Sequence, residues 1–454
     1  MDELNGKKVL ILGLARQGKA LARFATAVGA DVTISDLGSA KKLAPDIAEL
    51  DDVPVRFVLG EHPLSLLDDC DMVALSGGVP VEAPFVQAAV DRGIPLTNDS
   101  LEFGHRCPTD KWIGLTGSAG KTTTTTLVGE MGYKSPYKTW VGGNIGHPLL
   151  ADLPKMATGD VVVQELSSFQ LEIWDQSPRI AAMLNITPNH LDRHKTMAVY
   201  TEAKSHILNH QRGSDIAVLS ADDEIAFGLS ARVNGRLRLF SRLHAVDDGA
   251  FLRDDALVLR DGQREHVVCS RHDILLKGLH NISNVLAACV LADSVGIPVE
   301  AMREAIVHFQ GVPHRLEPVG EIHGVQYIND SIATAPERAL AAVGAFSEPL
   351  VLLAGGRDKK MDWDAWAQTV THRAKEIILF GDLVPMLRDR LVSSGRTNGW
   401  VEAADLSEAV DFAHKRATAG DVVLLSPGGT SFDAFKDFAE RGELFRDLVA
   451  RLDR

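Results

Sequence analysis

Short apolar runs bounded by glycine alternate along the chain with longer stretches of helical period. Lys8–Leu12 (KVLIL), Asp31–Ser35, Met72–Leu75 and Ile94–Thr97 read as strands, with helices from Gly18 to about Val28 and from Pro84 to Arg92. A continuous apolar run of four or five residues suits a strand buried on both faces. Its alternation with helices predicts a mostly parallel sheet covered on both sides. A second series opens near Cys107, with strands over 111–116, 161–166, 181–185 and 216–219, a helix from Lys121 and another over 197–209. Between Arg236 and Val268 the runs become short and alternating, with Asp261-Gly262 as a hairpin turn, which predicts a small β extension. Helices over 280–295 and 299–308 close this series. A third begins near Gly311, with strands over 325–328, 351–353, 377–380 and 422–425 and a helix over 336–345.

Length and composition narrow the class. At about 150 residues per domain, 454 residues make room for three. Hydrophobic residues at 45% and charged residues at 24% are ordinary for a globular protein and argue against disorder or a fibrous repeat. The net charge of −14 weighs against coating nucleic acid or an anionic membrane, yet leaves room for small polyanionic substrates held by a few placed donors. No apolar run reaches the roughly 18 residues of a membrane span, and MDELNGKK has no signal-peptide core. The cysteines Cys70, Cys107, Cys269 and Cys289 form no C-x-x-C pair. The expected setting is a reducing cytoplasm, and the expected state a monomer.

The sharpest chemical signal is GLTGSAGKTT, Gly114–Thr123, between a strand and a helix. Gly117 and Gly120 let backbone N–H groups turn inward around phosphate oxygens, with a helix N-terminus behind them. Lys121 would reach the β- and γ-phosphates of a nucleotide and the Thr122 hydroxyl would ligate Mg²⁺. The pattern therefore predicts an α/β protein of three domains: a Rossmann-like domain over 1–106, a central P-loop ATPase-type parallel sheet with its β extension over 107–311, and a second Rossmann-like domain over 312–454. In the first domain, GLARQG matches the dinucleotide fingerprint only in part, because Ala15 holds the second glycine position. Asp36, ending the second strand, could accept from a ribose hydroxyl or a base. Glu165 emerges from the strand after the loop, where an acid can hold Mg²⁺. His190 and His194, at i and i+4, could also be half of a zinc site, but no third ligand lies at a matching spacing.

GSAGKTT, ELSSFQLE (Glu165–Glu172), NITPNHLDRH with Lys204 on the next helix, and GLHNISN (Gly278–Asn284) together resemble the Mur ligases. Agreement extends to PHR (Pro313–Arg315), YINDSIAT (Tyr327–Thr334), LLAGG (Leu352–Gly356) and LLSPGGTSFDAFKDFAERG (Leu424–Gly442), in the family's order. ELSSFQLE, GGNIG (Gly142–Gly146) and the closing SFDAFKDFAERG most resemble the family's D-glutamate-adding branch. The resemblance implies a cytoplasmic, ATP-dependent amide ligase of peptidoglycan precursor synthesis that acts on UDP-N-acetylmuramoyl-L-alanine and glutamate. It implies that Thr116, Gly117, Ser118, Ala119, Gly120, Lys121, Thr122 and Thr123 hold the ATP phosphates, with Asn281 and Asn284 near the adenine. Arg315 and Asp330 would contact ribose and phosphates. Thr122 and Glu165 would bind one Mg²⁺, and His190 a second, together with a carbamate on Lys204. Arg16, Gln17, Asp36, Ser76, Gly78, Asn144, Ser167 and Gln170 fall where the family holds the UDP-muramoyl substrate. Thr334, Lys359, Ser431 and Phe438 fall where it holds glutamate.

Some positions depart from the family. Ser118-Ala119 replaces Thr-Asn, SGG at Ser76–Gly78 replaces Ser-Pro-Gly, and GGRDKKMDW differs from the usual form of its loop. Ile332 stands where many D-glutamate ligases carry lysine. With Pro336 it resembles a divergent branch in which some members attach L-glutamate. The alternatives are addition of L-glutamate or another amino acid to a UDP-muramoyl substrate, another Mur ligase, folylpolyglutamate synthesis (disfavoured by the hundred α/β residues ahead of the loop), and a nucleic-acid-dependent ATPase (disfavoured by the charge and the lack of an aromatic platform).

Overall fold

The computed structural model describes residues 2–276, 278–358 and 361–452. Three sheets organise the chain. The first contains β1 (Lys8–Leu12), β2 (Asp31–Asp36), β3 (Val55–Leu59), β4 (Met72–Leu75) and β5 (Leu96–Thr97), in the order β3-β2-β1-β4-β5 and parallel throughout. The second contains β6 (Trp112–Thr116), β7 (Thr139–Gly143), β8 (Val161–Glu165), β9 (Ile180–Met183), β10 (Ile216–Ser220), β11 (Arg236–Ser241), β12 (Gly249–Arg253), β13 (Ala256–Asp261) and β14 (Arg264–Ser270). Its order is β14-β13-β12-β11-β10-β9-β6-β8-β7, parallel from β7 to β12, with β12, β13 and β14 pairing antiparallel as the expected extension. The third contains β15 (Glu317–Ile322), β16 (Val325–Asn329), β17 (Leu350–Gly355), β18 (Ala374–Phe380), β19 (Trp400–Glu402) and β20 (Val422–Gly428), ordered β15-β16-β20-β17-β18-β19. Only its β15–β16 pair is antiparallel.

Side chains on a strand alternate between faces, and here both faces are apolar. In the second sheet Ile113, Leu115, Val161 and Val163 enter one core, with Leu127 and Met131 of the helix Lys121–Tyr133. Trp112, Val162, Ala181 and Met183 enter the opposite core, with Tyr200 and Ile207 of the helix Met197–Asn209. The third sheet divides likewise: Leu350 and Leu352 face one core, Val351 and Leu353 the other. The first sheet adds a further feature. Its Val9, Ile11, Val32 and Ile34, together with Leu101 and Phe103 of the helix Asp99–Arg106, share a single apolar cluster with Trp112, Leu149 and Trp174 around the second sheet. Accordingly the chain divides into two compact units, residues 1–309 with the first two sheets and residues 310–454 with the third.

A buried ion cluster joins the β extension to the rest of the second sheet. Arg238 on β11 is 1% exposed, and its guanidinium reaches Asp248 at 2.9 Å and Asp293 at 2.7 Å. It also donates to Ser294 Oγ at 3.1 Å. Asp293 and Ser294 end the helix Leu279–Ser294, whose first turns carry Asn281 and Asn284. Arg238 therefore fixes the far end of a helix whose near end belongs to the site described next. Arg238→Met keeps the apolar stem but takes the ion-pair partner from Asp293 and leaves Asp248 to Arg236 alone, and should cost about 2 kcal/mol in urea unfolding.

Candidate functional site

Parallel pairing of β6 with β8 and β9 brings three strand ends to one edge. From β6 comes the glycine loop. Gly120, the N-cap of the following helix, has φ +82°, and a Cβ there would lie 2.2 Å from Asn284 Oδ1. Glycine is required twice, for the left-handed backbone and for the close approach. The loop is braced by the end of β9: Ser118 N donates to Asn185 O at 2.9 Å, and Ala119 N donates to Asn185 Oδ1 at 2.8 Å. The Ser118 hydroxyl meets Thr187 O and the Tyr200 hydroxyl, both at 3.0 Å. Lys121 Nζ folds back to Gly117 O at 2.9 Å. Thr122 and Thr123 occupy the first helical turn, half-buried. Asn281 and Asn284 are joined by a 3.0 Å bond beside Gly120.

Lys204 comes from beneath the loop. Its ammonium is buried, donates to Thr116 Oγ1 at 3.1 Å and Gly117 O at 2.9 Å, and lies 4.9 Å from the Tyr200 ring centre. Burial, with Lys121 adding repulsion, holds its pKa well below the ordinary lysine value, against an opposing pull from Glu165. Glu165, ending β8, is 1% exposed. Its Oε1 accepts from Asn144 Nδ2 at 2.8 Å, while Oε2 is buried with no hydrogen-bond partner among the described residues. An orphaned carboxylate oxygen at a strand end beside the glycine loop suits a hard cation such as Mg²⁺, which takes oxygen ligands. His190 adopts φ +53° at the start of a short turn, with its ring 5.1 Å from that of Phe169.

His194 has structural employment. It is buried, stacks on Phe169 at 5.3 Å, meets Ser168 Oγ at 2.9 Å and lies 3.4 Å from Glu172. Burial lowers the His194 pKa and raises that of Glu172 to about 7, both toward the neutral form. Among the described residues no three His, Cys, Asp or Glu side chains gather as a metal site, so His190 and His194 have no third zinc ligand of these types.

The substrate-binding candidates of the first sheet are bonded mainly to nearby backbone. Arg16 donates to Gly146 O at 2.5 Å and Asn144 O at 3.1 Å. Gln17 Oε1 accepts from Gly77 N, and Ser76 Oγ donates to Gly13 O, both at 2.9 Å. Asp36 accepts from Leu14 N at 2.8 Å and Gly38 N at 2.7 Å. Gly78 faces open space. Ser167 caps the turn that Gln170 closes, and Gln170 Nε2 is buried with no hydrogen-bond partner of standard geometry among the described residues.

In the second unit, Asp330 accepts from Ser426 Oγ at 2.9 Å and from Leu316 N at 3.1 Å, and burial pushes its pKa up to about 7. Arg315 sits between His314 and Leu316, both with positive φ. Thr334 and Ser431 lie on two loops tied by a residue the sequence reading missed, Arg441. Fully buried, it donates to Ser331 O at 2.8 Å and Ser331 Oγ at 3.0 Å, and reaches Gly429 O at 3.3 Å. Burial lowers its pKa to about 10, opposed by Asp433. Phe438 opens the last helix, and its carbonyl accepts from Ser331 Oγ at 2.8 Å. Lys359 lies outside the described residues. Tyr200 and Asn185 were also missed, since their partners lie 82 and 66 residues away.

Comparison with known proteins agrees along the whole chain. Family models match at residues 7–98 (Mur ligase MurD-like, N-terminal domain), 115–292 (Mur ligase middle domain) and 314–429 (Mur ligase, glutamate ligase domain). The UDP-N-acetylmuramoylalanine–D-glutamate ligase of Symbiobacterium thermophilum is 42% identical over 448 residues, 98% of each chain. That of Pelotomaculum thermopropionicum is 38% identical over 455 residues, 100% of each. Among solved structures, UDP-N-acetylmuramate-alanine ligase MurC from Thermotoga maritima has TM-score 0.58 at 20% identity, covering 98% of this chain and 100% of its own. E. coli FolC in complex with ADP has TM-score 0.55 at 17% identity, covering 78% of this chain and 94% of its own.

Gly120→Ala should cost about 1–2 kcal/mol from the left-handed backbone alone. It should also displace Asn284, weakening nucleoside triphosphate binding at least about tenfold. Nucleotide titration alongside thermal unfolding checks both effects.

Proposed function

The chain belongs to the Mur ligase family, and we propose that it joins D-glutamate to UDP-N-acetylmuramoyl-L-alanine, with ATP cleaved to ADP and phosphate, in peptidoglycan precursor synthesis. Full-length identity of 42% to a D-glutamate ligase carries this reading. The full 98% coverage also speaks against a folylpolyglutamate synthase, because FolC matches only 78% of this chain. ATP and a UDP-sugar as substrates favour the cytoplasm as the place of action.

In this reading the amides of Gly117–Lys121 and the Lys121 ammonium hold the phosphates of ATP, with Asn281 and Asn284 beside the adenine. Arg315 and Asp330 contact ribose and phosphates. Thr122 and Glu165 hold one Mg²⁺, and His190 with a carbamylated Lys204 holds a second. Bound Mg²⁺ neutralises phosphate charge and orients the reacting oxygens. Carbamylation needs a neutral amine: Lys-NH₂ adds CO₂ and releases a proton, leaving an anion where a buried ammonium had been. The depressed pKa and burial of Lys204 support it. Arg16, Gln17, Asp36, Ser76, Gly78, Asn144, Ser167 and Gln170 bind the UDP-muramoyl substrate. Thr334, Ser431 and Phe438, with Lys359, receive glutamate.

The chemistry follows in two displacements. The alanyl carboxylate attacks the γ-phosphorus in line and ADP leaves, while Lys121 stabilises the transferring oxygens. The glutamate amine then attacks the acyl phosphate, loses a proton, and the tetrahedral intermediate expels phosphate. An acyl phosphate hydrolyses readily, so the site must exclude water during the second step.

The expected outcome is phosphate release that requires both the UDP-muramoyl substrate and glutamate, and that is abolished in Lys121→Ala and in Lys204→Ala. Partial recovery of the Lys204 variant by short carboxylic acids would support the carbamate, whereas full activity in either variant would sink the assignment. Product analysis with D- and L-glutamate offered separately tests the stereochemistry against the alternative left open by Ile332. Hydrolysis stimulated by DNA without the UDP substrate would favour a nucleic-acid motor instead.

A further inference from the structure

The carboxyl edge of the first sheet, read above as the uridine-nucleotide site, presents a side chain that the substrate candidates do not include. In open α/β sheets ligands settle where the strand order reverses, here between β1 and β4. His62, three residues beyond β3, spans that point. Its Nδ1 lies 2.7 Å from Ser35 Oγ on β2. Its ring packs 5.4 Å from the ring of Phe85, in the first turn of the helix Pro84–Asp91 that follows β4.

The hydrogen bonds determine which nitrogen carries hydrogen. Ser35 donates its hydroxyl proton to Glu61 O at 3.2 Å, so toward the imidazole its oxygen is the acceptor and Nδ1 is the donor. Burial lowers the pKa of His62, against a weaker pull from Asp36, and favours the neutral ring. Nε2 is then a lone-pair acceptor. It makes no hydrogen bond among the described residues and is not one of the buried unpartnered atoms, so it is open to solvent. The neighbouring acceptor, Asp36, already receives the Leu14 and Gly38 amides, one on each oxygen. Next to Asp36 in the chain, Leu37 just past the end of β2 offers an apolar surface, 68% exposed.

We infer that His62 reads the base of the nucleotide substrate, its Nε2 accepting the N3–H of uracil while the Leu37 side chain supports the ring. The inference rests on the first sheet being the uridine site. Uracil carries one donor, N3–H, between two carbonyl acceptors. Cytosine has a lone pair at N3. A fixed imidazole lone pair attracts the first and repels the second, so this residue would select uridine over cytidine nucleotides rather than take part in catalysis.

The test uses the full chain with UDP, CDP and N3-methyl-UDP as competitors of the UDP-muramoyl substrate, and direct calorimetric binding of the same three. UDP should bind about tenfold more tightly than CDP or N3-methyl-UDP, about the worth of one hydrogen bond and its mismatch. His62→Asn retains an N–H for Ser35 but removes the distal nitrogen. It should reduce both preferences to within about twofold and raise KM for the UDP substrate about tenfold, leaving kcat and KM for ATP unchanged. Equal binding of UDP and N3-methyl-UDP by the unaltered chain would overturn the inference without any variant having to fold, as would a preserved preference in His62→Asn. Failure of the ligase reading is separable: UDP would then bind with its preference intact while no glutamate-dependent phosphate is released.

Discussion

Everything in the candidate site hangs on the parallel registration of β6 between β8 and β9. Parallel strands all end on the same side. Three segments remote in sequence therefore finish within a few ångströms of one another: the glycine loop, the carboxylate of Glu165, and Asn185 with its neighbours. The cores on both faces make this registration hard to slip, because a one-residue shift would exchange every side chain between two apolar layers of different shape. The sheet is thus the template, and the loop takes its form from it. Asn185 alone occupies two of the loop's amides and one of its carbonyls.

Against that rigid frame the protein buries charge where the chemistry calls for it. Lys204 and Glu165 are almost inaccessible; Glu165 Oε2 has no hydrogen-bond partner among the described residues, and burial holds the Lys204 pKa well below the ordinary lysine value. Arg441 in the second unit is the contrasting case. It is equally buried, but its donors are spent on backbone carbonyls and a serine hydroxyl, so its role is to hold two loops together. Burial alone does not distinguish a working charge from a structural one; the remaining unfilled valence does.

The same distinction explains what was legible in the sequence. The glycine loop between a strand and a helix could be read directly, because Gly117, Gly120, Lys121 and Thr122 lie within a few residues of chain. The three sheets were legible from apolar runs, since their central strands are buried on both sides. β3 and β19 were passed over: both are edge strands, half-exposed and without a continuous apolar run. β7 carries two glycines in five residues. Glu165 could be singled out by its place at the end of the strand after the loop, whereas His190 and Lys204 acquired Mg²⁺ roles only through resemblance, because a histidine and a helix lysine have no such meaning until folding places them. Tyr200 and Arg441 were silent for a related reason. The bond from Ser118 to Tyr200 spans 82 residues and that from Arg441 to Ser331 spans 110, and no local pattern encodes such a partner.

The shared apolar cluster between the first two sheets has a consequence for what the protein can accept. Phe103 and Leu101 on one side and Trp112, Leu149 and Trp174 on the other belong to one continuous interior. The carboxyl edge of the first sheet and the glycine loop of the second are therefore held at a set separation, with no flexible joint between them. On the proposed function, a substrate gripped at its nucleotide end would offer its far end to the glycine loop only if the distance between the two matches that span. On that reading the first compact unit would gauge molecular length: a precursor one residue too short or too long would be held in the right place and present the wrong atom.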